Sequence, residues 1–466
     1  MMKPRGLSTF LSVLFSIVLL AGCAPKATPT AEPTTAAQPT SAVQPTTAAK
    51  PTQAVEPTAP AEAGVLRAWV NLGDDPAQVQ ALFNEYAAVG GKKVEVNMPV
   101  PYDKIFAGLA GDNPPDLLIL PEQFSTAYLV SEGLILPLDD LMAAANFDMA
   151  DLNPELLKEC NYGVYFCMPW GTDTHILLYN KDMFEDAGLD PEKPPETLEQ
   201  LVEFADKLTK VDADGNLTQV GFIPDFAYSH IDSYMAVFGA SFYSADGTKI
   251  TLNTPEMNAI LKWEQEFYTK YGADKVLKFT SGAGAFNSPD MGFYTGKIAM
   301  LIDAEMIPGP NYIAKFKPEL NFGVAAVPYP QDNPAGKDGV QLGGTVIVIP
   351  KGAPDPAESA KLAAWLLSPE MQVKEFTQNW NIPSSLSATR DPAFESLGPD
   401  FKIFMDLAVG PTAKIFYYGP LAGAIVQEMS VIEEQAVHNG ADPAPLLAES
   451  EAKLQAMLDA MLSGGG

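Results

Sequence analysis

The chain has 466 residues, 47% of them hydrophobic, and 58 acidic against 29 basic side chains give a formal net charge of −29. That length is enough for two packed lobes. The acidity excludes a phosphate-backbone partner, since no basic stripe is available to displace counterions, and it disfavours adhesion of the folded part to anionic lipid.

Lys3 and Arg5 precede an apolar run from Leu7 to Leu20, which is too short for a spanning helix and of secretory-signal length. The run ends in Leu20-Ala21-Gly22-Cys23, with small residues directly before a cysteine. This arrangement resembles the bacterial lipobox. The resemblance implies removal of residues 1–22, diacylation of Cys23 and an exported protein held at the outer face of a membrane, where two acyl chains anchor stably. Residues 23–64 then form a lipid-anchored linker rich in Pro, Thr and Ala, with Pro-Thr recurring at Pro33, Pro39, Pro45, Pro51 and Pro57. Such a repeat has no apolar face to bury and favours extended polyproline-like chain, reaching roughly 120 Å at ~3.1 Å per residue. No apolar run after Cys23 approaches bilayer length.

From Val65 the pattern alternates between strand and helix. Val65 to Val70 reads as a strand, Pro76 to Ala88 as a helix, Lys93 to Asn97 as a strand, Tyr102 to Ala110 as a helix and Leu117 to Leu120 as a strand. This order predicts an α/β fold with a mainly parallel sheet covered by helices. Thr197 with Gln200 fits a capping box. Thr254-Pro255 and Ser368-Pro369 each place an N-cap before proline, and helical apolar periodicity marks 255–271 and 357–367.

Cys160 and Cys167 flank Asn161-Tyr162-Gly163-Val164-Tyr165-Phe166. A two-residue turn at Gly163-Val164 sets Tyr162 against Tyr165 and Cys160 opposite Cys167, within disulfide reach. An exported location permits the bond, whereas a metal pair here lacks further ligands.

Pro169-Trp170-Gly171-Thr172-Asp173, Leu178-Tyr179-Asn180-Lys181-Asp182-Met183-Phe184 and Ala187-Gly188-Leu189 resemble the family 1 extracellular solute-binding proteins of ABC sugar importers. In the expected order stand Pro115-Asp116, Gly133-Leu134, Pro137-Leu138-Asp139-Asp140, Pro195-Glu196-Thr197, Gly296-Lys297-Ile298-Ala299-Met300, Gly343-Gly344, Ser368-Pro369-Glu370 and Ile382-Pro383. The resemblance implies a two-lobe periplasmic-binding fold of type II, similar to maltose-binding protein, with a multi-strand hinge. It places one lobe at about 65–168 plus 329–375 and the other at about 169–328 plus 376–463. A solute, most naturally a mono- or oligosaccharide, would lie between the lobes and be handed to the ABC permease. The implied receptor is a monomer with no cofactor or metal, and with contact to the membrane through its lipid alone.

Sugar sites combine flat aromatics with Asp, Glu and Asn. By the resemblance, the ligand-binding candidates are Asn71, Asp74, Glu122, Phe124, Trp170, Asp173, Asp225, Tyr228, Asp303, Glu305, Gly344 and Trp380. Trp263 and Trp365 lie in helical patterns and read as core. One departure bears on the ligand: many family members carry tryptophan where this chain has Met306, preceded by Glu305. A stacking face is lost and a charge gained there, which opens a polyamine or other cationic solute as the alternative. Tyr417-Tyr418 suggests stacking or packing ahead of ferric-iron binding.

Enzyme signatures are thin. His-Glu-x-x-His and Gly-x-Ser-x-Gly do not occur, and Gly282-Ala283-Gly284 lacks the context of a dinucleotide loop. Asp212-Ala213-Asp214-Gly215 departs from a calcium loop and reads as a turn. A tethered glycoside hydrolase remains as a second class of reading, though no carboxylate pair is singled out.

Overall fold

The computed structural model describes residues 64–464 except 73–74, 112, 122–125, 228, 286–287 and 416–418, so the leader, Cys23 and the linker lie outside the described residues. The chain divides into the units Met1–Pro57 and Thr58–Gly466, and every described residue belongs to the second.

The strands in chain order are β1 Val65–Val70, β2 Lys93–Asn97, β3 Leu117–Pro121, β4 Met168–Thr172, β5 His175–Asn180, β6 Lys210–Val211 and β7 Leu217–Gln219. They continue with β8 Met300–Ala304, β9 Phe322–Ala325, β10 Val340–Leu342, β11 Thr345–Val348, β12 Ile382–Pro383 and β13 Ala413–Ile415. Six of them form one sheet in the order β12-β4-β11-β3-β1-β2. Its β2-β1-β3 half is parallel, because helices Pro76–Ala88 and Tyr102–Leu109 return the chain to the same end. β11 lies antiparallel to β3 and β4, and β12 antiparallel to β4, so the sheet is mixed where a mainly parallel one was expected. A second sheet, β8-β5-β9, is wholly antiparallel.

The second sheet is a wall between two cores. Successive strand residues point to opposite faces. Along β5, Leu177 and Tyr179 enter a core built on helices Leu198–Leu208, Ile231–Phe238, Pro255–Tyr271, Ala422–Glu433 and Pro443–Gly464. Ile176 and Leu178 enter the other core, which takes in Leu66, Ala68 and Val70 of β1 and Ile347 of β11. That second core also takes Phe376, Phe394, Phe401 and Phe404. The far face of the large sheet buries Trp69, Leu118, Leu120, Val346 and Val348 with both cysteines.

Local signals mostly act where the sequence put them. Thr197 Oγ1 accepts from Gln200 N and Thr254 Oγ1 from Met257 N. Gln200 returns to Glu196 N instead of closing the box on Thr197. Ser368 does not cap its own helix; its hydroxyl donates to Trp365 O at the end of the preceding one. Asp212 accepts from Asp214 N and Asn216 N, so that motif is the turn between β6 and β7.

The Cys160–Cys167 disulfide is present, with Cα atoms 4.9 Å apart. Its turn is one residue longer than expected: Asn161 bridges Tyr165, Gly163 sits at φ 93°, and Asn161 Oδ1 accepts from Gly163 N. Cys160 ends a short helix, Leu157–Cys160, and so reaches its partner from a helical turn. Replacing both cysteines by serine is expected to cost about 2 kcal/mol on the chain-entropy estimate for a short loop, read as a lower urea midpoint. An unchanged midpoint would contradict a stabilising role for this bond.

Candidate ligand site at the strand crossing

Asp173 and Thr174 join β4 to β5, so one extended stretch leaves the large sheet and enters the three-stranded one. Gly343 and Gly344 likewise join β10 to β11. The two passages are tied side by side. Thr172 Oγ1 donates to Gly343 O at 2.7 Å, Gly343 N donates to Asp173 O at 3.1 Å, and Thr174 bridges Leu342. A Cβ at position 344 would stand 2.5 Å from Gly171 O, so glycine is required by close backbone approach.

The end of β8 meets this crossing. Glu305 Oε2 accepts from Thr174 N at 2.8 Å. Glu305 Oε1, Thr174 Oγ1, Asp303 Oδ2 and Gln341 Oε1 are buried without a hydrogen-bond partner among the described residues. Orphaned buried acceptors are costly, and each marks a place where water or another hydrogen-bonding group belongs. Burial, and secondarily the charge of Asp173, pushes the Glu305 carboxyl well above the usual range. Burial likewise raises Asp303 to about 8, against a hydrogen bond from Ala304 N that favours the ion. Burial thus favours the protonated form of both carboxyl groups. Gln341 Nε2 donates to Asp232 Oδ2 at 3.1 Å, and His175 Nδ1 lies 3.4 Å from Ser233 Oγ, which extends the cluster to the start of helix Ile231–Phe238. Burial holds the His175 imidazole below its usual value, so it is neutral as well.

The expected residues fall into three groups. Asp173, Asp303, Glu305 and Gly344 meet at the crossing or at the strand end beside it. Trp170 is only 3% exposed, packed on Phe376 with ring centroids 5.4 Å apart, so its ring belongs to the core. Asn71, at the end of β1, donates its N–H to Ile119 O. Asp225 is held by Tyr268 and His438. Trp380 adopts φ 60°, a left-handed position rare for a bulky residue, with its ring edge-on to Phe401. It also crowds the turn after Met306: a Cβ at Gly309 would lie 3.0 Å from Trp380 Cβ. An indole therefore stands beside the turn that follows Met306. Asp74, Glu122, Phe124, Tyr228 and the pair Tyr417-Tyr418 lie outside the described residues. Trp263 packs among Phe222, Tyr234 and Phe267, and Trp365 against Tyr86, as core residues.

Thr174 and Gln341 were not singled out from sequence. Gln341 had a signal, a polar residue inside the apolar strand Val340–Leu342 just ahead of Gly-Gly.

The family model for bacterial extracellular solute-binding proteins matches residues 69–373. The chain belongs to that family. The sn-glycerol-3-phosphate-binding periplasmic protein UgpB of Escherichia coli O6:K15:H31 (strain 536) is 26% identical over 349 residues, covering 71% of this chain and 76% of the relative. The solved structure of CpMnBP1 with mannobiose bound superposes with a TM-score of 0.74 at 26% identity, over 84% of this chain and 99% of that one. UgpB from Mycobacterium tuberculosis, in complex with glycerophosphocholine, gives 0.68 at 20% identity over 85% and 98%. The architecture is the α/β fold of maltose-binding-protein-like receptors.

Asp303 supplies a stability test. Its folded-state value of about 8 exceeds the unfolded value, so the native state binds the extra proton between about pH 4 and 8 and stability falls as pH rises through that window. Asp303→Asn is expected to flatten that fall in a series of urea unfolding curves; an unchanged slope would show that Asp303 is not held neutral.

Proposed function

We propose that this protein is the substrate-binding component of an ABC importer and that its solute is a neutral sugar, held where the strands cross. The observation that supports this reading is the set of orphaned, uncharged acceptors at Thr174, Asp303, Glu305 and Gln341. Neutral carboxyl and amide groups suit sugar hydroxyls, which both donate and accept. No lysine or arginine is among the residues joined there, so the crossing offers an anionic phosphate ester no counter-charge. Trp380 supplies the aromatic face.

Capture needs no catalytic group. A solute that touches both of the lobes expected from the sequence stabilises the arrangement in which they close on it, a population shift about the two tied passages. We further infer that Cys23 carries the lipid and that the Pro-Thr linker lets the receptor range over the permease it serves.

Screening by thermal shift against mannobiose, monosaccharides, sn-glycerol-3-phosphate, spermidine and ferric iron tests the ligand class. At one hundred times its dissociation constant, a true ligand adds about 2.7 kcal/mol of stability. A shift with spermidine or glycerol phosphate and none with any carbohydrate would overturn the sugar reading. Glu305→Gln separates the classes at the site: a neutral carboxyl resembles an amide, so sugar affinity should change less than about threefold, well short of the tenfold that one lost charge-assisted hydrogen bond represents. A loss of tenfold or more would mean that the ionised carboxylate is the group in use.

A further inference from the structure

The stretch 224–227 is distinctive because it serves both large cores. Phe226 packs against each of them, and Ala227 against the one that contains β1. Ala227 also has φ 65°, a left-handed conformation that a non-glycine residue keeps only where its surroundings impose it. The imposing contacts are on the page. Tyr234 OH donates to Pro224 O at 2.6 Å and lies 2.8 Å from Ser229 Oγ, which pins both ends. Asp225 Oδ1 accepts from Tyr268 OH at 2.6 Å, and Asp225 Oδ2 lies 2.7 Å from His438 Nε2.

His438 is 213 residues away in sequence from Asp225 and arrives by an unusual route. It closes a π-helical turn, Glu434–His438, that follows helix Ala422–Glu433. Single π turns re-aim a side chain by widening the helix, and they recur at functional sites. The imidazole lies against the Tyr268 ring with centroids 4.8 Å apart, and Nδ1 meets Glu434 Oε2 at 2.8 Å. Each ring nitrogen thus faces a carboxylate, the arrangement that requires an imidazolium with two donors.

The surrounding charge comes from several neighbouring elements. Tyr268 and Glu264 come from helix Pro255–Tyr271, Glu433 and Glu434 from the junction of the π turn, Asp225 from the segment itself, and His230 and Asp232 from the start of the next helix. Burial opposes the charge on His438, but the hydrogen bonds to Asp225 and Glu434 outweigh it and hold the group up at about 9. Glu433 is raised to about 7, chiefly by burial, so it titrates in a separate, lower range. Burial and Asp225 keep Tyr268 protonated far above its ordinary value.

We propose that His438 is a positioning residue for solute capture: as an imidazolium it fastens Asp225 and so holds Phe226 and Ala227 against the two cores that meet at β5. This rests on the reading that capture works by closure between the two lobes expected from the sequence. The sign follows from the linkage. The clamp is whole while His438 is charged and is released as pH rises through its folded-state value.

Hydrogen exchange of the whole, solute-free protein tests the clamp without any ligand. After correction for intrinsic rates, amides in 224–230 should lose protection about tenfold between roughly pH 8 and 10, the ratio that one charge-assisted hydrogen bond represents. In His438→Gln they should be less protected already at about pH 7.5 and show no further step. Asp225→Asn, which leaves the helices untouched, should lose the same step if the glutamine variant fails to fold. Equal protection in variant and wild type, or the same pH step in both variants, would overturn the proposal. With mannobiose as probe, calorimetry should show affinity weakening over the same pH range in the wild type only; a wild-type chain that ignores mannobiose counts against the sugar reading, and the exchange data still judge the clamp.

Discussion

The structure depends on two extended passages bound to one another. Where β4 runs into β5 and β10 runs into β11, the Thr172–Gly343, Gly343–Asp173 and Thr174–Leu342 contacts leave little backbone freedom, and Gly344 is pressed against Gly171 O. The alternating residues of β5 divide the two cores, so the same strand that links the sheets also separates the apolar masses on either side.

The polar groups at the crossing follow from that geometry. Strand ends expose backbone and side-chain acceptors that the sheets do not consume, and Glu305 closes only one of them by accepting from Thr174 N. The remaining oxygens are buried, which favours their protonated or amide forms and leaves a site rich in hydrogen-bonding groups and poor in charge. In a chain with a net charge of −29, this is a local neutrality that composition does not reveal.

Local features were legible in the sequence. The boundaries of Val65–Val70, Pro76–Ala88 and Pro255–Tyr271, the caps at Thr197 and Thr254, and the cysteine pairing all rest on contacts between near neighbours. What the sequence left open was relational. Trp170 sits in a recognisable motif, but which face of β4 it occupies is set by Phe376, some two hundred residues on. The one-residue change in the Cys160–Cys167 turn came from Asn161, whose side chain caps Gly163 N and lengthens the loop. The sheet was read as mainly parallel because β11 and β12 join it from late in the chain. Of the two carboxylates at His438, only Glu434 is near in sequence; Asp225 is brought to it by tertiary folding.

The central claim is that solute draws the two proposed lobes together about the strand crossing. Small-angle X-ray scattering of the folded domain, titrated with mannobiose and with any carbohydrate found in the screen, measures this directly. The account predicts a saturable decrease in the radius of gyration with no change in the sugar recovered afterwards. Binding without compaction, or release of cleaved sugar, would contradict it.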